Sequence, residues 1–297
     1  MIRILDKVLA VGYEAKKLQG KTGEDVTIVS PVVEGVIKNT ELATEMLKHF
    51  LSKITKGFDK FKALVVVPCG ITDDEIKDFQ KVMFSSGISR VSFVPSLVCM
   101  AVGNNYAQNN HSQLVVNIGG GKTEVGALIN SSVLSGCTIS YGGRAIDNDI
   151  ISFIEKTHNL KISAVTAEKI KNEIASLYET DKSNMEVLVQ DGNTNSPVTT
   201  IVTAQELIKP IYENYFKILQ TIQAFLNQCS PEVAQDIKNE GIILYGGGSL
   251  ITGLEKFFKK VLNLSVFVVE NPEVLSVIGS EKLFSNLNLL QTVIEEN

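Results

Sequence analysis

The chain contains no tryptophan and little arginine, histidine or cysteine. Its 297 residues include three histidines, four cysteines and only three arginines, Arg3, Arg90 and Arg144, and its net charge is −5 at pH 7. The 25 lysines form no run longer than two. Nucleic-acid binding needs clustered positive charge, so we expect no nucleic-acid partner and interpret the lysines as a solvated surface.

The four cysteines, Cys69, Cys99, Cys137 and Cys229, show no CxxC spacing and lie in apolar surroundings. This pattern predicts buried thiols in a reducing cytoplasm, and it favours neither a disulfide framework nor a metal site. A signal peptide is absent, and no apolar run reaches the length of about 18 residues that a transmembrane helix needs. We therefore expect a cytoplasmic protein.

Hydrophobic residues make up 44% of the chain. At this length and composition the chain can bury two cores, which predicts two domains.

Two apolar runs each end in three consecutive glycines. The first run, residues 114–118, leads into Gly119, Gly120 and Gly121. Glycines can turn the chain at φ values that other residues avoid, and they leave bare backbone N–H groups that can hold a phosphate. Alternating apolar residues follow from Val125, so the pattern predicts a β-hairpin rather than a strand followed by a helix.

The second run, residues 242–244, leads into Gly246, Gly247 and Gly248. A helical pattern of apolar residues begins at Leu250, which places these glycines at the N-terminus of a predicted helix. A single GGG turn is equally compatible with a tight connection and with a binding site. The order of the elements between the two turns favours the binding site.

The rest of the chain predicts alternating strands and helices, and hence a parallel sheet wrapped by helices. Thr72, with Glu75 three residues later, predicts a capping box at a helix start. The predicted strands span residues 8–11, 26–29, 32–37, 63–67 and 91–94, and the predicted helices span 14–18, 40–54, 73–85, 97–104 and 144–156. Residues 163–240 are predicted to be mostly helical, with a polar loop or hairpin at 181–199.

Eight segments follow one another as the successive motifs of a known family do. They are VLAVGYEAKKLQGKTG, EGVIKN, VVVPCGITDDE, NIGGGKTEV, YGGRAIDNDII, TAEKIKNEI, LYGGGSLITGL and VVENPEVLSVIG. Together they resemble the MreB family of bacterial actins from Val8 almost to the C-terminus. The chain could be MreB itself, a rod-shape paralogue or a divergent relative.

The resemblance implies an α/β protein with the actin-like ATPase fold, built from two ribonuclease H-like lobes. Residues 1–110 would form the first lobe, with 1–38 as its small upper subdomain and 39–110 as its sheet and helices. Residues 111–280 would form the second lobe, with 163–240 as its helical upper subdomain. Residues 281–297 would return to the first lobe.

The resemblance also implies a site for ATP or ADP between the lobes. Glu168 would accept hydrogen bonds from the ribose, and Lys171 would lie against the adenine, in a helix that we expect Thr166 to cap. An exposed ion pair between Glu168 and Lys171 is the alternative, worth about 0.2–0.5 kcal/mol. The other implied nucleotide-binding residues are Gly119, Gly120, Gly121, Lys122, Thr123, Gly142, Gly143, Gly246, Gly247, Gly248 and Ser249.

Three departures from the family concern its catalytic carboxylates. The family begins with a strand, a D-x-G-[TS] turn and a second strand, and the chain has no counterpart of them before Val8. Asn117 replaces an aspartate that helps to hold hydrated Mg²⁺, and Ser96 replaces a glutamate that orients the attacking water. We therefore expect weak Mg²⁺ binding, inefficient hydrolysis and no assignable catalytic residue. The first lobe would be incomplete at its N-terminus, with an open apolar edge around Val65 that promotes self-association.

By resemblance, the protein would form cytoskeletal filaments of like protomers that support cell shape and wall synthesis. Membrane proteins of those processes would be partners, with peripheral contact at the inner membrane. Residues 57–61, which include Phe58 and Phe61, are either a membrane-binding loop or a segment that packs on the lobe. The alternative function is a non-hydrolysing adaptor, or a capping partner of a complete bacterial actin.

Overall fold

The computed structural model describes residues 2–4, 7–19, 26–54, 61–105 and 110–296. The strands are β1 Ile2–Ile4, β2 Lys7–Ala10, β3 Thr27–Ile28, β4 Val32–Val33, β5 Val36–Ile37, β6 Phe61–Val67, β7 Ile88–Pro95, β8 Gln113–Ile118, β9 Thr123–Ile129, β10 Ser132–Ile139, β11 Leu160–Lys161, β12 Asn184–Asp191, β13 Pro197–Thr203, β14 Ile242–Tyr245 and β15 Val266–Val268. The helices are α1 Tyr13–Lys17, α2 Thr40–Ile54, α3 Asp73–Ser85, α4 Ser96–Gly103, α5 Gly143–His158, α6 Ala164–Ile174, α7 Ala204–Leu226, α8 Pro231–Glu240, α9 Leu254–Leu262, α10 Leu275–Ser285 and α11 Leu287–Glu296, with a 3₁₀ turn at Gly247–Leu250.

The largest sheet has five strands in the order β10-β9-β8-β14-β15. Strands β10, β9 and β8 are antiparallel neighbours, whereas β8, β14 and β15 run parallel. All six residues of β8 are buried, as expected for a strand covered on both faces. Because Tyr245 pairs with Asn117 at the carboxyl ends of β14 and β8, the two glycine turns leave the sheet side by side.

Two hydrophobic clusters cover this sheet. On one side lie α5, α6, α7 and α9, with Ile146, Ile150 and Ile154 of α5 fully buried. The other side packs against α4, α10 and α11. Helices α4 and α10 cross closely, since a Cβ added to Gly279 would lie 1.7 Å from the carbonyl oxygen of Cys99.

Strands β6 and β7 form a separate parallel pair. One hydrophobic cluster packs residues of this pair with α2 and α3, and residues 64 and 66 of β6 pack on the cluster of α4 and α10. Among the described residues β6 pairs only with β7, so the other edge of β6, expected to be open around Val65, has no neighbouring strand, although the Val65 side chain itself is only 8% exposed; the expected self-association stays a prediction. Within the described residues, β1 pairs with β2 and β3 and does not extend the β6–β7 pair.

The structure confirms most of the predicted elements. Helices 40–54 and 73–85 have the predicted bounds, and Thr72 and Glu75 form the predicted capping box. The polar segment at 181–199 belongs to the hairpin of β12 and β13. The predicted cap at Thr166 is wrong, because α6 begins three residues earlier and the hydroxyl of Ser163 accepts a hydrogen bond from the Thr166 N–H at 3.1 Å.

The lobe boundaries stay a prediction. Helix α4 of the proposed first lobe packs against α10 and against β8, β9 and β10 of the proposed second lobe. No helix in the part of the chain that the structure describes is long and apolar enough to cross a membrane.

Candidate functional site

A cavity of about 440 Å³ opens beside the two glycine turns. Strands β8 and β14 deliver the turns to it, since the carboxyl ends of neighbouring parallel strands form a crevice at the edge of a sheet. Seven residues predicted to bind nucleotide line the cavity: Gly119, Gly120, Gly143, Glu168, Lys171, Gly247 and Gly248. The other six predicted residues are not among those that line it: Gly121, Lys122, Thr123, Gly142, Gly246 and Ser249.

The first turn is closed by a hydrogen bond from the Gly119 N–H to the Lys122 carbonyl at 2.9 Å. The prediction that its glycines adopt unusual φ values is wrong, because none of the three has a positive φ. What distinguishes Gly120 is space, since a Cβ added there meets nothing within 4 Å. Among the described residues, the N–H groups of Gly120 and Gly121 have no hydrogen-bond acceptor. Two bare N–H groups in one turn are suited to an anion.

The first turn is fixed to the start of α5. The N–H of Gly143 donates to the Gly119 carbonyl at 2.9 Å, and the N–H of Arg144 donates to the Gly120 carbonyl at 2.7 Å. A Cβ added to Gly142 would lie 2.5 Å from the Gly119 oxygen. Gly142 therefore allows the contact between the turn and the helix, which holds the free N–H groups in place.

The second turn is packed against the end of β8. Gly246 has a φ of +80°, and a Cβ on it would lie 2.4 Å from the Ile118 oxygen. A Cβ on Gly248 would lie 2.4 Å from the Cγ2 of Ile118. The hydroxyl of Ser249 closes the turn by donating to the Gly246 carbonyl at 2.7 Å.

The glycines of the second turn were expected at the N-terminus of an α-helix, and this expectation needs a correction. They open the 3₁₀ turn Gly247–Leu250, and α9 begins only at Leu254. A second positive φ, +85° at Gly253, separates the two elements.

Glu168 and Lys171 pair with other elements rather than with each other. Lys16 of α1 approaches Glu168 to 2.9 Å. The ammonium of Lys171 lies 2.8 Å from Asp147 and donates to the Gly143 carbonyl at 3.1 Å. Burial raises the pKa of the Asp147 carboxyl, and Lys171 opposes this rise. The alternative of a local ion pair within α6 is therefore wrong.

Glu124 was not singled out from the sequence. It accepts hydrogen bonds from both residues that stand where the family has carboxylates, Ser96 and Asn117. It is fully buried in β9. The Ser96 hydroxyl donates to one of its oxygens at 2.7 Å, and the Asn117 amide donates to the other at 2.8 Å. The N–H of Cys69 adds a third hydrogen bond at 2.9 Å. A glutamate at the start of a strand whose later residues are apolar was the available signal, because buried carboxylates are rare unless they are paired.

Thr123 and Lys122 follow the first turn and are not among the residues that line the cavity. Thr123 is fully buried and its hydroxyl donates to the Tyr141 carbonyl at 2.7 Å, and its place beside the phosphates stays a prediction. The ammonium of Lys122 lies 3.8 Å from Glu124. Desolvation lowers the pKa of Lys122, and the charge of Glu124 opposes this fall.

Sequence reasoning also missed cavity residues that come from distant elements. Tyr215 of α7 is fully buried, and its hydroxyl donates to the Gly248 carbonyl at 2.5 Å. Glu273 also lines the cavity, and its Cβ would lie 4.0 Å from a Cβ added to Gly247. Asp181 and Ser183 contribute from the segment before β12. No local pattern could have found them, because only the packing of α7 and the loops brings them to the turns.

The family model and the related sequences all identify the same family. The family model described as MreB/Mbl protein matches residues 3–292. The cell shape-determining protein Mbl of Bacillus subtilis (strain 168) is 31% identical over 290 residues, which is 96% of this chain and 86% of Mbl. The cell shape-determining protein MreB of Escherichia coli (strain K12) is 29% identical over 270 residues, covering 89% of this chain and 78% of MreB.

Solved structures agree with the sequence relatives. MreB5 of Spiroplasma citri bound to ADP superposes with a TM-score of 0.91 at 26% identity, over 95% of this chain and 86% of MreB5. A MamK double helical filament shares the fold, with a TM-score of 0.78 over 92% of this chain and 84% of MamK at 19% identity. The predicted actin-like fold is thereby confirmed, and the chain belongs to the MreB/Mbl family.

Proposed function

We propose that the cavity beside the two glycine turns binds an adenine nucleotide. The observation that carries this proposal is the turn at Gly119–Gly121, where two successive N–H groups have no acceptor among the described residues and Gly120 lines the cavity with room for a ligand. Phosphates are held by such nests of backbone N–H groups. The related MreB5 structures of Spiroplasma citri are bound to ADP and to AMPPNP, which supports the same ligand class here.

The parts of the nucleotide have distinct places in this proposal. The phosphates lie on the first turn, where Gly120 and Gly143 line the cavity. The ribose hydroxyls donate to Glu168, which is 37% exposed even with Lys16 beside it. The adenosine is supported by Gly247 and Gly248, and the aliphatic part of Lys171 lies against the base.

We further propose that hydrolysis of the nucleotide is slow. Phosphoryl transfer to water needs a positioned water and charge stabilisation. Ser96 and Asn117 use their donors on Glu124, and Glu124 accepts three hydrogen bonds. Positions 96 and 117 therefore supply no carboxylate that could orient a water or take its proton, and the carboxylate of Glu124 beside them is already hydrogen-bonded.

At the cellular level, we propose a cytoplasmic filament protein that supports cell shape and wall synthesis. Its family membership and the cell shape-determining relatives support this role. Like protomers would stack through one repeated, non-closing contact. Membrane proteins of cell shape and wall synthesis, and the inner membrane itself, are the further proposed partners. Of the loop at 57–61, residues 57–60 lie outside the described residues, and Phe61 begins β6.

The alternative is an adaptor that caps or copolymerises with a complete bacterial actin. The engagement of Ser96 and Asn117 with Glu124 favours it equally, since an adaptor needs no hydrolysis. Sedimentation of the purified chain with ATP separates the two functions. Filaments formed by the chain alone support the first proposal, and pelleting only together with a complete bacterial actin supports the second.

Calorimetric titration with ADP and with ATP tests nucleotide binding. We expect both nucleotides to bind with similar, modest affinity, because the first turn offers the same N–H groups to either. The absence of heat with both nucleotides, or turnover at ordinary enzyme rates of about one per second or more, would contradict the proposal.

A further inference from the structure

The surroundings of Glu124 do not suit the Mg²⁺ that the family resemblance implies. Magnesium takes oxygen lone pairs, with one or two carboxylates. Ser96 and Asn117 present hydrogen-bond donors to Glu124, at 2.7 and 2.8 Å, instead of free carboxylates. Among the described residues there is no group of three or more His, Cys, Asp or Glu side chains that could hold a metal ion. An incoming Mg²⁺ would meet hydrogen-bond donors that already occupy the Glu124 carboxylate.

A positive charge is already present at this place. The ammonium of Lys122 lies 3.8 Å from Glu124, and the lysine side chain is only 14% exposed. Within the described chain its three N–H groups make no hydrogen bond, because 3.8 Å is too long for one. A half-desolvated ammonium with unused donors is an incomplete site for an anion.

The turn between β4 and β5 leaves space for this ammonium. A Cβ added to Gly35, in the turn between β4 and β5, would lie 2.6 Å from the Lys122 Nζ. On the other side, Lys122 directly follows Gly121, whose N–H is one of the two without an acceptor. The lysine therefore reaches from the phosphate turn into a gap that any larger residue at position 35 would close.

We propose that Lys122 is the built-in cation of the phosphate site, so that this chain binds ADP and ATP without a divalent metal. Lysine is a common point-charge partner of phosphate. The ammonium neutralises phosphate oxygens held on the turn, with Glu124 fixing its position from behind. This inference rests on the proposed nucleotide binding.

Calorimetry on the full chain tests the inference with ADP and adenosine as ligands, each in excess Mg²⁺ and in EDTA. For the unchanged chain we expect ADP affinities in the two buffers that agree within about a factor of three. Lys122→Met should weaken ADP binding about tenfold or more, as expected for one lost charge-assisted hydrogen bond, and leave adenosine binding unchanged. Lys122→Arg keeps the charge and should keep the metal independence.

Two controls separate the possible failures. Lys209→Met, at an exposed position of α7, should bind ADP as the unchanged chain does, and thermal melts report whether each variant folds. ADP binding that strengthens more than about tenfold with Mg²⁺, or equal ADP binding by Lys122→Met, would overturn the inference. If neither ADP nor adenosine binds the unchanged chain, the proposed nucleotide site itself fails.

Discussion

The two glycine turns look alike in sequence and do different things in the structure. In the second turn, Gly246 and Gly248 are glycines because a side chain would collide with Ile118 of β8. In the first turn, Gly120 faces open space and its N–H is unused. The glycines of the second turn thus allow close packing, whereas Gly120 of the first turn leaves a backbone N–H group accessible. A run of glycines indicates a backbone constraint, and only the surrounding atoms tell which kind it is.

Gly246→Ala should have the largest effect on stability, because it breaks the packed turn. The added Cβ would lie 2.4 Å from a backbone oxygen at a φ of +80°. Left-handed strain and overpacking each cost about 1–3 kcal/mol. We expect the free energy of unfolding in urea to fall by about 3 kcal/mol or more. Unchanged stability would mean that the two turns do not differ as described.

Gly120→Val should leave the fold stable, unlike Gly246→Ala, and should abolish nucleotide binding. A Cβ atom at position 120 has space around it, so the free energy of unfolding should change by about 1 kcal/mol or less. The branched side chain then fills the place of the phosphates. Calorimetry with ADP, beside a urea melt of the same sample, checks both halves of this prediction. Normal ADP affinity in the variant would contradict the assignment of the first turn.

Lys171→Met tests the ion pair between Lys171, which lines the cavity, and Asp147 of α5. It leaves Asp147 without its cation, and we expect a loss of about 1–3 kcal/mol at neutral pH. Burial raises the pKa of Asp147 and Lys171 opposes this rise. In the variant, the folded state therefore favours the protonated carboxyl more strongly. The loss of stability should shrink as the pH falls toward 4, the range of an ordinary aspartate pKa, and grow as the pH rises. Thermal melts of both proteins across this range measure the trend, and a loss that is independent of pH would contradict it.

Gly247→Ala should have the smallest effect. Its neighbour Gly246 tolerates no side chain, yet a Cβ at Gly247 would meet only Glu273 at 4.0 Å. We expect a change in unfolding free energy of about 0.5 kcal/mol or less and a modest weakening of nucleotide binding. A loss as large as that of Gly246→Ala would show that the whole second turn is packed and that none of it faces the ligand.

Local patterns predicted the elements of this chain well. The helices at 40–54 and 73–85 and the hairpin of β8 and β9 follow from apolar periodicity and capping residues, which are local properties. Spacing within one strand or helix carries this information.

The partners of charged side chains could not be predicted in the same way. Lys16 and Glu168 are 152 residues apart, and Ser96 and Glu124 are 28 apart. Their pairing depends on how α1, α4 and β9 pack together. For the same reason, Asn117 and Ser96 stood out in the sequence only as missing carboxylates, while the carboxylate that binds them both went unnoticed.

Amide hydrogen exchange of Gly120 and Gly121 tests the central claim most directly, since the claim is that these two N–H groups receive the phosphates. Two-dimensional NMR of the labelled chain would follow both amides without ligand, with adenosine and with ADP. The account predicts that ADP slows the exchange of both amides strongly and that adenosine leaves them nearly unchanged. Exchange that ADP does not alter, under conditions where calorimetry shows ADP to be bound, would contradict it.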